Sequence, residues 1–140
     1  MKWCNTCIMN KKFILAFFFI SINVSYSQSL ELIKKIEIEH QNCLDNQASM
    51  LGCSIKYNKQ MDSLLNIVYN KKRQLLNKEE QLKLKEEQLS WLKKRDVNTK
   101  KVSTKIKTET DIIGSDLQMI ITDEEANFVK KRIIYLIKSL

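Results

Sequence analysis

The sequence predicts a small all-α protein, a bundle of about four helices. Proline is absent from the 140 residues and only two glycines occur, so the chain lacks the turn residues that a sheet-containing domain of this size needs. Lys, Glu, Gln, Leu and Ile dominate, and apolar residues recur at intervals of three and four, so propensity and periodicity both favour helix. We expect one helical domain, residues 28–140.

The N-terminal stretch has the pattern of a secretory signal sequence. Two lysines precede an apolar run at residues 13–22, and serines lie at the cleavage positions. We therefore expect a signal peptide at residues 1–27, with Met9 as a second candidate for the true start codon. The run has only half of the ~20 residues that cross a bilayer, so we expect no transmembrane anchor after cleavage. The predicted location is the periplasm or the extracellular side of a bacterial cell envelope.

The chain is basic, with a formal net charge of +8 at pH 7. Removing the three lysines that precede the cleavage site leaves 21 basic and 16 acidic residues, a net charge of about +5. Three basic clusters could bind anionic polymers or lipid headgroups, or they could be solvated helix faces. Nucleic acid is not expected as a partner after export. The clusters are Lys71, Lys72 and Arg73, then Lys93 and Lys94 beside Arg95, then Lys130, Lys131 and Arg132.

Two of the four cysteines are expected to form a disulfide. Cys4 and Cys7 lie upstream of the predicted cleavage site, with no second pair to complete a metal tetrad. Cys43 and Cys53 are the only cysteines left after cleavage, and an exported chain meets an oxidising compartment. Their disulfide would link the first helix to the start of the second and stabilise the fold by roughly 2 to 3 kcal/mol.

A metal site is the alternative use of the same cysteines. His40 and Cys43 lie one helical turn apart and Cys53 would add a third ligand, but a closed structural zinc site needs four. We therefore expect His40 to be a solvated or capping side chain, and we expect no metal or other cofactor.

The first two helices are predicted from their apolar spacing and from one cap. Residues 29–45 carry apolar residues on one face, which predicts a helix of three or four turns. Asn46 is the predicted N-cap of a second helix over about residues 47–76, because an Asn side chain accepts from the free amides of a first turn. This second helix has two apolar stripes, so we expect it to lie between neighbouring helices.

The third helix begins after a short break. Asn77 and Glu80 form a capping box, which predicts a helix over about residues 78–108. A break this short makes the second and third helices a long antiparallel hairpin. The last helix begins at Ser115 or at Thr122, where Thr-Asp-Glu-Glu forms a second capping box.

A polar network is predicted between the two helices of the hairpin. Facing residue numbers sum to about 154, given the rise of the helix, so Arg95 comes within one turn of Asp62. A bidentate contact between them over the face of Trp91 is expected. Two interpretations of this network are open. In the one that we favour, the network fixes the register of the hairpin; in the alternative, it forms a binding surface. Its residues are Asp62, Asn66, Tyr69, Gln88, Trp91 and Arg95.

The spacing of the hairpin residues resembles the family of small exported proteins that includes the LprI-type lysozyme inhibitors. The resemblance covers residues 40–140 and includes both predicted disulfide cysteines. Thr99 stands where many members carry a further cysteine, which places the chain with the members that have a single disulfide. The matching positions are Asp62, Leu65, Asn66, Tyr69, Leu84, Gln88, Trp91, Leu92, Arg95 and Asp96.

The expected function is non-enzymatic. The sequence has no Ser, His and Asp arrangement, no phosphate-binding glycine loop and no metal tetrad. The resemblance implies a protein of the cell envelope that binds a protein partner, and it suggests lysozyme as that partner. Because lysozymes are usually cationic, the net positive charge opposes this pairing at long range. The alternative is a basic interaction module that binds anionic envelope surfaces and inhibits nothing.

Overall fold

The computed structural model describes the backbone of residues 11–46 and 49–139 and the side chains of residues 28–46 and 49–139. Four helices and no strand occur in these residues, which confirms the predicted helical bundle. Cys4 and Cys7 lie outside the described residues, and so do the side chains of the rest of the predicted signal peptide. No helix in the described part of the chain has an apolar stretch long enough to cross a membrane. The helices are α1 (Lys11–Asn46), α2 (Met50–Gln74), α3 (Lys78–Glu109) and α4 (Gly114–Lys138).

The N-cap of α2 is Ser49. Its hydroxyl accepts a hydrogen bond from the Gly52 amide at 3.1 Å, which satisfies one of the free donors of the first turn. The prediction that Asn46 caps this helix is wrong, because Asn46 is the last residue of α1 and its side-chain amide donates to the carbonyl of Asn42 at 2.8 Å. Helix α2 therefore starts three residues later than the sequence predicts.

The capping box of α3 is confirmed. The Asn77 side chain accepts from the Glu80 amide, and the Glu80 carboxylate accepts from the Asn77 amide, both at 3.0 Å. Helix α4 starts at Gly114, whose φ of +66° is a left-handed conformation that glycine adopts without strain. This start is one residue before Ser115, the earlier of the two predicted positions. Thr122 lies inside α4, where its hydroxyl donates to the Gln118 carbonyl.

Helices α2 and α4 form the centre of the bundle and run parallel to each other. Asn58 bonds to Glu125 and Lys72 bonds to Ser139, and both pairs are 67 positions apart. Helix α1 packs on α2 and touches α4, whereas α3 packs on α4. The hairpin of α2 and α3 is antiparallel as predicted, but α4 supplies most of the surface that buries α2.

The core is a single apolar cluster between α2 and α4, closed by a few side chains of α1 and α3. The apolar face of α4, from Ala126 to Ile137, is buried in it, and Leu140 lies outside the described residues. Leu75 falls within the predicted range of the second helix, but it is exposed because the helix ends at Gln74. The cluster consists of Ile33, Tyr57, Met61, Leu64, Leu65, Val68, Leu84, Ala126, Val129, Ile133, Leu136 and Ile137.

The predicted disulfide is confirmed. Cys43 of α1 and Cys53 of α2 are bonded, with their Cα atoms 5.7 Å apart. The bond closes a loop of ten residues, so it holds the end of α1 against the first turns of α2.

Candidate functional site

A groove separates α2 from α3, because α3 packs on α4 and leaves part of the facing side of α2 uncovered. We call it the α2–α3 groove. Its volume is about 390 Å³. Five of the six residues of the predicted network line it, and Trp91 is the exception. The lining residues are Asp62, Leu65, Asn66, Tyr69, Lys85, Gln88, Leu89, Leu92 and Arg95.

An ion pair between Arg95 and Asp62 connects the two sides of the groove. Nη1 of Arg95 donates to Oδ1 of Asp62 at 3.1 Å, and the guanidinium lies 5.6 Å from the centre of the Trp91 ring. The predicted bidentate geometry is wrong: Nε of Arg95 faces Glu125 of α4, with 4.0 Å between Nε and Oε1. The Asp62 side chain is 45% exposed, so water screens the pair and we expect it to contribute no more than about 1 kcal/mol.

Trp91 faces α4 instead of the groove. Its ring stacks on the ring of Phe128, with 5.7 Å between the centroids and 18° between the planes. The guanidinium groups of Arg95 and Arg132 both lie over the Trp91 ring, the second at 5.8 Å. Cation–π contacts that are shielded from water are stronger than exposed ones, so this stack joins α3 firmly to α4.

Arg132 is the most enclosed cation of this region, with a relative exposure of 6%. Its Nε donates to Oε1 of Gln88 at 3.0 Å, and its Nη1 donates to Oε1 of Glu87 at 2.6 Å. The guanidinium also lies 5.1 Å from the centre of the Tyr135 ring. Gln88, which lines the groove, is thus held in place from the α4 side.

Sequence reasoning did not assign Arg132, Glu125 or Phe128 to the network. It placed Arg132 in a basic cluster, although a positional signal was present. Glu125 and Arg132 alternate with Val129 and Leu136 at intervals of four, three and four residues, which puts all four side chains on one face of a helix. Val129 and Leu136 are buried in the core. Glu125 and Arg132 share their helix face, so these two charged side chains lie beside the core.

The leucines, Asn66 and Asp96 of the family pattern differ in exposure. Leu65 and Leu84 are buried, Leu92 is half-buried, and Asn66 and Asp96 are exposed. Asn66 and Gln88 face each other across the groove, as the predicted register requires, but the Gln88 oxygen accepts from Arg132. Packing therefore explains why the family pattern has leucines at these positions, but it does not explain why the pattern has an asparagine at the exposed position 66.

His40 lies against α2 and α4. Its ring stacks on Tyr57, with centroids 4.3 Å apart and an interplanar angle of 5°, and Nε2 lies 3.4 Å from Oδ1 of Asp123. The prediction of a solvated or capping histidine is wrong, because stacking on a core tyrosine largely buries the side chain. The sulfurs of Cys43 and Cys53 are bonded to each other, so they provide no thiolate for a metal ion beside it.

Tyr57 is the titratable group with the largest shift in this neighbourhood. Burial raises the pKa of its phenol to about 12, and the negative charges of Glu37 and Asp123 add to the increase. Glu37 is itself paired with Lys130, at 2.6 Å between Oε1 and Nζ.

The three predicted basic clusters are only partly available to a ligand. Lys72 is buried and donates to the carbonyl and the hydroxyl of Ser139, and its burial lowers the pKa of its ammonium group. In the third cluster, Lys130 is paired and Arg132 is enclosed. The exposed members are Lys71, Arg73, Lys93, Lys94 and Lys131.

The comparisons with known proteins identify one family. No curated protein and no solved structure matches the chain. The family model described as lysozyme inhibitor LprI matches residues 39–136, from the end of α1 to the last turns of α4. That range covers more than two thirds of the chain and includes the disulfide, the α2–α3 groove and the Trp91 stack. The chain therefore belongs to the lysozyme inhibitor LprI family.

Proposed function

We propose that this protein is an exported, non-enzymatic inhibitor that binds a lysozyme through the α2–α3 groove. One observation carries the proposal: four polar residues and one tyrosine of the family pattern line one open groove, although they lie on two different helices. They are Asp62, Asn66, Tyr69, Gln88 and Arg95. Membership of a family of lysozyme inhibitors supports the class of partner.

The distribution of charge along α3 supports the groove as the binding surface. Its first half, residues 78–92, contains four glutamates and three lysines, whereas residues 93–109 contain six lysines and Arg95 against two acidic residues. The groove lies mainly beside the first half, where Lys85, Gln88, Leu89 and Leu92 line it, and Arg95 lines it from the second half. A cationic lysozyme that approaches there meets a nearly neutral surface, so the net charge of the whole chain opposes this encounter only weakly.

The groove offers a lysine for a cleft that contains carboxylates. Glycosidases hydrolyse their substrates with two carboxyl groups that flank the scissile bond, and a cation placed between them would block the cleft. Lys85 is exposed and borders the groove beside the exposed side chain of Leu89. In this proposal Lys85 enters the lysozyme cleft, and Leu89 provides apolar contact area at its edge.

A cell-wall lysis assay with several types of lysozyme tests the proposal. The chain is recovered from the exported fraction of its host and added at near-equal molar ratio, and it should slow lysis by at least one lysozyme. Full lysis by every lysozyme at large molar excess of the chain would refute the inhibitor function.

A matched pair of variants tests the surface. Leu89 in the groove and Ile67 on the opposite side of α2 are both 50% exposed. Leu89→Arg should weaken inhibition by roughly tenfold or more, because it replaces an apolar contact beside the inserted lysine with a bulky charged side chain. Ile67→Arg should leave inhibition unchanged. The reverse pattern would move the interface to the side of α2 that faces α1.

A further inference from the structure

The second half of α3 carries a surface that the inhibitor function does not use. Six lysines between residues 93 and 107 are exposed, and Asp96 is the only acidic residue in that interval. We propose that this surface docks the protein on a membrane of anionic lipids. We call it the α3 lysine face, and it consists of Lys93, Lys94, Lys100, Lys101, Lys105 and Lys107.

The lysines form two rows along the helix. Lys93, Lys100 and Lys107 are seven residues apart, so they lie at intervals of about 10 Å along nearly the same line. Lys94 and Lys101 begin a second row on the other side of the exposed Val97. The result is a convex, cationic strip about 20 Å long that points away from the packed side of α3.

Most of these lysines lack a partner within the described part of the chain. Only Lys105 approaches a carboxylate, that of Glu109, at 3.8 Å. In the first half of α3, by contrast, Lys83 pairs with Glu79 at 2.7 Å. Like charges four residues apart, as at Lys101 and Lys105, destabilise a helix. Because these side chains are exposed, no packing in the bundle offsets that repulsion.

The chemistry of the surface favours a plane of lipid phosphates over a single polyanionic chain. All six cations are lysines, which act as point charges and lack the planar fork with which arginine grips one phosphate. The strip has no aromatic side chain on which a nucleobase could stack. The strip is convex, and none of its six lysines lines the α2–α3 groove, so a flexible polymer finds no channel here. A flat anionic surface can contact both rows at once.

Vesicle co-sedimentation tests the proposal with the chain recovered from the exported fraction. The chain should sediment with vesicles of phosphatidylglycerol and phosphatidylcholine, and it should stay in solution with phosphatidylcholine alone. Binding should fall steeply as salt is added, because the contact is electrostatic and exposed. The triple variant Lys93→Gln, Lys100→Gln, Lys107→Gln removes one row and should weaken binding on the order of 100-fold, at about fivefold for each lysine.

The matched control removes three other exposed lysines, with Lys71→Gln, Lys78→Gln and Lys83→Gln. The two variants have the same net charge, and thermal melting establishes that both are folded. The control should keep most of the affinity. Equal losses in the two variants would overturn the proposal, because they would show that net charge and not this surface governs binding. Failure to bind anionic vesicles, with or without binding to soluble polyglutamate, would also overturn it.

Discussion

The guanidinium carbon of Arg132 in α4 lies 5.8 Å from the centre of the Trp91 ring in α3. This contact, with the hydrogen bonds from Arg132 to Glu87 and Gln88, makes α4 the helix that positions α3. The link from α3 to α2 depends on the more exposed pair of Arg95 and Asp62. The two arginines therefore differ in what they contribute, although both lie over the same indole.

Replacing Arg132 should destabilise the fold. We expect Arg132→Ala to lower the free energy of unfolding by about 2 to 3 kcal/mol, because it opens a space beside Trp91 and leaves Gln88 without its donor. Glu87 is partly exposed, so water can solvate the charge that the substitution leaves unpaired. The loss of stability is therefore smaller than for a fully buried ion pair. Urea unfolding measures the change. Lys131→Ala, at the exposed neighbouring position, should change stability by less than about 0.5 kcal/mol.

The pair of Asp62 and Arg95 should couple only weakly. In a double-mutant cycle with Asp62→Asn and Arg95→Gln, we expect a coupling energy of about 0.5 to 1 kcal/mol, because the aspartate is nearly half exposed. Urea unfolding of the three variants and the parent gives this value. A coupling energy above about 2 kcal/mol would contradict the view that water screens this ion pair. It would favour a dominant role of the pair in setting the register of the hairpin.

Removing the disulfide should destabilise the junction of α1 and α2. The double substitution Cys43→Ala and Cys53→Ala should lower the free energy of unfolding by about 2 to 3 kcal/mol, since the unfolded chain regains the entropy of an open loop. A thiol reductant should have a similar effect on the parent and none on the variant. An unchanged melting temperature of the parent after complete reduction would contradict the prediction.

Stability should decrease at high pH because of Tyr57. Its pKa is about 12 in the folded protein against 10.0 for an ordinary tyrosine, so the folded state holds the phenolic proton more tightly than the unfolded chain does. The corresponding stabilisation is complete when the pH is below the pKa of Tyr57 in the unfolded chain, and it is lost as the pH rises through the pKa of Tyr57 in the folded protein. Urea midpoints between these two pH values should fall more steeply for the parent than for Tyr57→Phe. Equal slopes would contradict the raised pKa.

Features that depend on neighbouring residues were predictable from the sequence. The helical class follows from propensity and from apolar periodicity, and the capping box of Asn77 and Glu80 follows from a spacing of three residues. The disulfide followed from counting the cysteines that remain after the predicted cleavage. The N-cap of α2 was missed because Asn46 and Ser49 are both good capping residues, and local sequence does not say which one ends the preceding helix.

The sequence by itself determined the helical class, the disulfide between Cys43 and Cys53 and the family membership, because each depends on residue types at short or regular spacing. Only the tertiary structure decided that α4 lies beside α2, that Arg132 is enclosed while Lys131 is not, and that His40 stacks on Tyr57. The physical reason is that periodicity specifies which side chains share a face of a helix. Which other helix that face meets depends on packing among residues far apart in the chain.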